Sequence, residues 1–268
     1  MELYLGTGGY SNDDWRGLLY PENAKSGDYL GIYAQNFNAV ELNSSFYNVP
    51  GVKAFQGMVR KSGAKVRFAI KVNQVMTHKR NPTEDDYQRL FESVSPLREA
   101  GMLGPFMAQF PQSFHRTADN RLYLKNLVDR FKDADETLAV EFRHESWEAP
   151  EVFDGLRQFG VSVVSVDYPP LPRLPEPTLR LTSEIAYIRM HGRNTDTWYS
   201  GNSAAERHDY LYNPDELREW VQQIAEHEDE LREVYLFLNN TTKGHALKNL
   251  RMLKELFNEA GYEVDMSY

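Results

Sequence analysis

Eight strand-length apolar runs recur along this chain with segments of helical periodicity between them, and this alternation constrains the fold more than any other feature. The runs lie at residues 3–7, 39–43, 66–72, 107–110, 138–142, 161–166, 186–190 and 234–238. Strand–helix–strand units build a parallel sheet, and eight strands are the number that closes one into a barrel. The 268 residues match the roughly 250 that such a barrel uses. The reading is an α/β protein, a TIM (β/α)8-like barrel, formed as one domain over residues 1–268.

Three helices carry clear signals. Tyr87, Leu90, Phe91 and Val94 follow the i, i+3, i+4, i+7 spacing behind Thr83 as a cap. Leu217, Trp220, Val221 and Ile224 repeat it behind Asn213, with Pro214 at the first helical position and Glu216 at the third. Leu250, Leu253 and Phe257 form a third stripe after Gly244. Between Asp167 and Ile185, prolines at 169, 170, 172, 175 and 177 remove backbone donors and exclude a normal helix. The helix after strand six is therefore expected to be replaced by an extended, Pro-rich crossover. A second irregular stretch, residues 192–213, is long enough to be expected to cover a site.

Composition narrows the function classes. The chain has no cysteine, which excludes disulfides, thiol nucleophiles, iron–sulfur clusters and Cys-type zinc sites. No apolar run approaches the roughly 20 residues of a membrane span, so no membrane association is expected. The first residues lack a basic and then apolar leader, and a cytoplasmic location is expected. The net charge of −9 disfavours nucleic acid as a partner. Oligomeric state stays open.

Polar residues alternate with apolar ones at the C-terminal ends of the strands. Glu41 and Asn43 alternate with Val40 and Leu42, and Lys71 and Asn73 with Ile70 and Val72. Glu141 and Arg143 flank Phe142, Asp167 follows Val166, Arg189, His191 and Arg193 recur at every second position, and Asn239 follows Leu238. If the apolar partners face the helices, this polar set faces the barrel axis, at the end where barrel active sites form. A buried charge is costly unless it is paired or functional. The competing reading is an ion-pair lattice that merely fills the barrel. The surplus of arginine instead suits an anion, which arginine binds bidentately. Asn239, Asn240, Lys243 and Gly244, leading into the last helix, fit a phosphate-type turn.

Other signals are weaker or absent. Gly6-Thr7-Gly8-Gly9-Tyr10-Ser11 departs from the GxGxxG pattern, and Walker A, GxSxG and HExxH motifs are missing. His115, His208 and His245 read as surface residues, whereas His78 follows strand three and is placed within reach of the site.

In order along the chain, Gly6-Thr7-Gly8, Trp15-Arg16-Gly17 with Tyr20-Pro21, FNAVELNSSFY (37–47), RFAIKVN (67–73) with Thr77-His78, GPFMAQFPQSF (104–114), VEFRHESW (140–147), YIRMHGR (187–193) and LFLNNTTKGHALKN (236–249) resemble the domain-of-unknown-function-72, or YecE-like, family. The resemblance covers nearly the whole chain. It implies a TIM barrel and names no reaction. Gly8 and Tyr10 stand where that family commonly has Ser and Trp.

Three functions follow from these residues. The leading one is an enzyme acting on a small anionic, hydroxyl-rich metabolite, such as a phosphorylated or acidic sugar. Glu41, Lys71, Glu141, Asp167 and His191 are its candidate catalytic groups. Its candidate binding groups are Asn43, Tyr47, Asn73, His78, Gln109, Arg143, His144, Trp147, Arg189, Arg193, Trp198, Tyr199, Asn239, Asn240, Lys243 and Gly244. No cofactor is required by this reading. A divalent metal enters under the second, a hydrolase or isomerase of endonuclease or sugar-isomerase type, with Glu41, Glu141, Asp167, His191 and Asn239 as hard ligands. The third is a non-catalytic anion-binding or regulatory module.

Overall fold

In the computed structural model, which describes residues 1–200 and 203–268 (the Ala204 side chain excepted), eight parallel strands close into a barrel in sequential order. They are β1 (Glu2–Thr7), β2 (Ala39–Leu42), β3 (Arg67–Lys71), β4 (Leu103–Gln109), β5 (Leu138–Glu141), β6 (Ser162–Asp167), β7 (Ile185–Met190) and β8 (Glu233–Leu238). Every expected strand is present. β4 starts earlier than its apolar run because Gly104 and Pro105 belong to it. The helices are α1 (Tyr29–Tyr33), α2 (Val52–Ser62), α3 (Glu84–Ser93), α4 (Ser95–Glu99), α5 (Ala118–Asp133), α6 (Pro150–Phe159), α7 (Ala204–Arg207), α8 (Pro214–Glu226) and α9 (His245–Glu259).

The sequence signals act as expected at the helix starts. Thr83 and Asp86 form a reciprocal capping box on α3, and Asn213 and Glu216 form another on α8 behind Pro214. Between β6 and β7 there is no helix, so the prolines do impose an extended crossover. The 192–213 stretch holds the short α7, and its residues 201 and 202 lie outside the described residues. Among the described residues, no helix is long and apolar enough to cross a membrane.

The core has two layers. Val40, Phe68, Ile70, Phe106, Val140, Ile188 and Leu236 point outward and pack with the helices. Ala39, Ala69, Met107, Ala139, Val164, Val166, Tyr187, Tyr235 and Phe237 fill the interior. Small alanines on β2, β3 and β5 leave room for the large rings that β7 and β8 send across the axis, which keeps the interior close-packed. The Tyr187 hydroxyl thereby crosses the barrel to Glu41, at 2.7 Å.

Candidate active site

Strand register decides which polar side chains meet. Paired residues on parallel strands face the same side of the sheet. Lys71 pairs with Met107, Gln109 with Glu141, and Arg189 with Phe237, all on the interior side. Asp167 pairs with Met190, whose side chain belongs to the outer core. Asp167 therefore points out of the barrel, which corrects the expectation that it faces the axis. On β6, Val164 and Val166 are interior, and Tyr168 continues that face beyond the strand, so Ser165 and Asp167 lie outside.

Arg193 is corrected with it. Alternation carried past the end of β7 would place Arg193 on the axis, but Gly192 takes a left-handed φ of +92°. A side-chain carbon at this position would meet Tyr210 Cβ at 2.7 Å. The turn swings Arg193 outward, where Nη2 and Nε meet Asp167 at 2.8 and 3.0 Å. Trp220 Nε1 and the Tyr212 hydroxyl also donate to Asp167, at 2.7 and 2.9 Å. Asp167 is thus a sealed structural anion between the barrel and α8, with no route to a substrate.

Inside the barrel, Arg189 lies between two buried carboxylates. Its Nε and Nη2 donate to Glu41 at 2.9 and 2.8 Å, and Nη1 donates to Glu141. Glu141 also accepts from the Tyr168 hydroxyl at 2.8 Å and from Arg143 Nε at 3.1 Å. Burial alone would raise the Glu141 carboxyl, but Arg189, His191 and Arg143 hold it well below the usual carboxylate range. Burial opposes the Arg189 charge, and Glu141 and Glu41 more than restore it. Glu41 and Glu141 are fully buried and engaged by these donors. They form the floor of the site and are not free acid/base groups.

Above this floor a cleft of about 500 Å³ opens at the C-terminal mouth. Lys71, Arg143, Arg189, His191, Asn43, Gln109, Asn239, His78, Tyr47 and Trp198 line it, as sequence reasoning anticipated. Lys71 Nζ donates to Gln109 Oε1 at 3.0 Å and lies 4.8 Å from the centre of the Phe46 ring. Burial, then the Arg189 and Arg143 charges, bring the Lys71 ammonium down to about 7. His191 is 1% exposed, its Nδ1 has no hydrogen-bond partner among the described residues, and its Nε2 lies 3.4 Å from Arg189 Nη1. Burial foremost, then Arg189 and His208, keeps its pKa well below the ordinary 6.5, though Glu141 opposes the shift. His78 is held at about 4 by burial and the Lys71 charge. His191 and Trp198 meet edge-on in one wall of the cleft, and Tyr168 stacks on His191 behind them.

Gly8 touches this site through its lack of a side chain. A carbon added there would lie 2.2 Å from Asn239 Oδ1 and 3.0 Å from Asn43 Nδ2. Glycine at this position thus leaves Asn239 in the floor, 3.4 Å from Arg189 Nη2.

The other expected site residues lie outside the cleft. Trp147 is core, stacked between Phe114 and Phe142 with its Nε1 bonded to Phe114 O. His144 stacks on His115 and caps a turn through Ser146. Asn73 bonds the backbone of Ser45 and Val75, and Asn240 ties Tyr210 to Asn249. Tyr199 is 60% exposed on the rim. Lys243 pairs with Asp209 at 2.6 Å, and Gly244 supplies the left-handed turn that starts α9. Asn73 was suggested by its place past a strand end, Trp147 and Tyr199 as stacking aromatics, and Asn240, Lys243 and Gly244 by the turn into the last helix, and none of these residues lines the cleft.

The sequence reading missed Phe46, Arg207 and His208 in the cleft wall. His208 was expected at the surface, but its ring lies 5.2 Å from His191 and 5.9 Å from Trp198. Burial and the Arg143 charge hold it at about 4. No local pattern marks His208, because the 192–213 stretch that carries it has no periodicity. Phe46 was legible only within the 37–47 motif.

The hard-metal set does not converge. Asp167 is on the far side of the barrel wall, and Arg189 occupies the oxygens of Glu41 and Glu141. Among the described residues, no group of three or more His, Asp or Glu side chains is disposed to hold a metal ion.

Comparison with known proteins places this chain in a family. The family model described as "Protein of unknown function DUF72" matches residues 4–267. The UPF0759 protein YunF of Bacillus subtilis (strain 168) is 28% identical over 95% of this chain and 94% of its own length. A DUF72 family protein (TM1631) from Thermotoga maritima MSB8 has a similar structure, with TM-score 0.87 and 34% identity, covering 96% of this chain and 100% of its own. A DUF72 family protein (EF0366) from Enterococcus faecalis V583 gives TM-score 0.83 and 27% identity, over 96% and 95%. This barrel, with its paired floor and cationic cleft, belongs to the DUF72 family.

Proposed function

We propose that the protein is an enzyme acting on a small anionic, hydroxyl-rich metabolite in the cleft at the barrel mouth. The observation that carries this reading is an imbalance of charge. Lys71, Arg143, Arg189 and Arg207 line the cleft against Asp14 as its lining carboxylate, although the whole chain carries −9. Arg189 is neutralised by the floor. Arg143 commits its Nε to Glu141 and keeps its outer guanidinium edge for a ligand. A cleft of about 500 Å³ is in the range of metabolite sites.

The amides of Asn43, Gln109 and Asn239 suit hydroxyl groups. Asn43 Oδ1 and Asn239 Nδ2 are buried without a partner among the described residues, and such atoms favour a ligand that satisfies them. Lys71, its ammonium brought down to about 7 by burial and the Arg189 and Arg143 charges, is the group suited to chemistry in place of the carboxylates. The unpartnered Nδ1 of His191 would hold or relay a proton.

Thermal unfolding with glucose 6-phosphate, glucuronate and glucose tests this reading. An anion at about 100 times its Kd adds roughly 2.7 kcal/mol, which at this size raises Tm by roughly 5–10 °C. The shift should be absent with glucose and lost in Arg143→Met. A shift that survives Arg143→Met unchanged, or no shift with any anion, would sink the reading.

A further inference from the structure

Lys71 is the last residue of β3 and projects into the cleft. Among the described residues it forms no ion pair. Its hydrogen-bond acceptor among the described residues is the neutral Gln109 amide, at 3.0 Å, and the nearby Glu41 and Glu141 are committed to Arg189. Arg143 and Arg189 border it on the cationic side. A lysine serving only to clamp an anion needs its full charge, and here burial and the Arg189 and Arg143 charges weaken it more than Glu41 and Glu141 support it. The same surroundings leave the amine lone pair available, which is how buried lysines become nucleophiles.

We propose that Lys71 forms a Schiff base with a carbonyl group of the anionic substrate, an inference that rests on the anion-cleft reading above. The Nζ lone pair attacks the carbonyl carbon, and the carbonyl π electrons move to oxygen. One proton passes from nitrogen to that oxygen, giving a carbinolamine. The carbon–oxygen bond then breaks as the carbon–nitrogen double bond forms, and the oxygen leaves as water with the second amine proton. Amine and carbonyl thus become imine and water, with nothing oxidised or reduced. When protonated, the imine nitrogen keeps a positive charge over the Phe46 face, where the ammonium lies now. Arg143, on the same cleft wall, would hold the anionic end.

Reductive trapping tests the step. The full chain is incubated at pH 7 with glyceraldehyde 3-phosphate or glyoxylate and reduced with borohydride, and the modified lysines are mapped by peptide mass spectrometry. Lys71 should be labelled at aldehyde concentrations on the order of 10- to 100-fold below those that label exposed lysines, because far more of it is unprotonated. Labelling should be lost in Lys71→Arg and Lys71→Met. Uniform labelling of lysines, with the anion-dependent Tm shift intact, would overturn the imine and leave the anion cleft standing. Uniform labelling without that shift would overturn both. Neutral glyceraldehyde labelling Lys71 as readily as its phosphate would keep the imine and remove the anion requirement.

Discussion

Two charged clusters sit back to back across the same stretch of barrel wall. The inner one joins Glu41, Glu141, Arg189 and Arg143, and the outer one joins Asp167, Arg193, Glu216 and Glu219. Arg189 and Arg193 are four residues apart in sequence, yet they serve opposite faces. In the outer cluster three carboxylates surround one guanidinium, and α8 closes over it through Trp220. In the inner cluster two carboxylates meet two guanidinium groups, and Lys71 is added beside an open cleft. Similar ion pairs therefore do different work. The outer set fastens a helix to the barrel, and the inner set builds a rigid floor that leaves cationic groups facing a ligand.

The largest effect that would break this comparison is expected at Arg189. Arg189→Met strands two buried carboxylates and should cost about 3–5 kcal/mol, read from the urea midpoint. Adding Glu41→Gln and Glu141→Gln should restore most of that loss. A single variant as stable as the parent would mean that the floor is not a buried ion-paired unit.

A smaller loss is expected on the outer face. Asp167→Asn removes a charge that accepts from Arg193, Trp220 and Tyr212, and should cost roughly 1.5–3 kcal/mol. The anion-dependent Tm shift should remain. A lost shift would show that the two faces are coupled, and the division drawn here would fall.

A further effect is read in the pH dependence. Glu141 is held well below its ordinary 4.5, so its contribution is complete above that value and drains away as pH falls below it. Lys71 moves the opposite edge of the profile. Its folded value of about 7 lies below the ordinary 10.5, so between these the unfolded chain holds more protons and stability rises with pH. Lys71→Met should flatten that rise while leaving the acid limb unchanged, as denaturation midpoints from pH 3 to 10 would report. An unaltered alkaline limb would mean that Lys71 titrates like an exposed lysine.

Most of the fold was legible. Eight apolar runs marked eight strands, Thr83 and Asn213 marked helix starts, and five prolines marked the crossover without a helix. The floor and Lys71 were legible too, because Glu41, Lys71, Glu141 and Arg189 each lie in a strand and alternate with outward apolar neighbours. The reasoning failed where a strand ended or where its apolar residues were the interior ones. Asp167 was assigned the wrong face because Val164, Val166 and Tyr168 are themselves interior. Arg193, Lys243 and Asn240 lie beyond strand ends, where period two no longer holds.

The sequence by itself determined a (β/α)8 barrel with charged strand ends, since hydrophobic periodicity and backbone-restricting prolines act locally and can be read locally. Only the tertiary structure decided which charges neutralise one another and which face the cleft. It paired Arg189 with two carboxylates from strands far away in sequence, sent Arg193 outward through the turn at Gly192, and brought His208 onto His191. Those outcomes depend on register and on the path of loops between strands, and a charge belongs to a site only through the neighbours that folding brings to it.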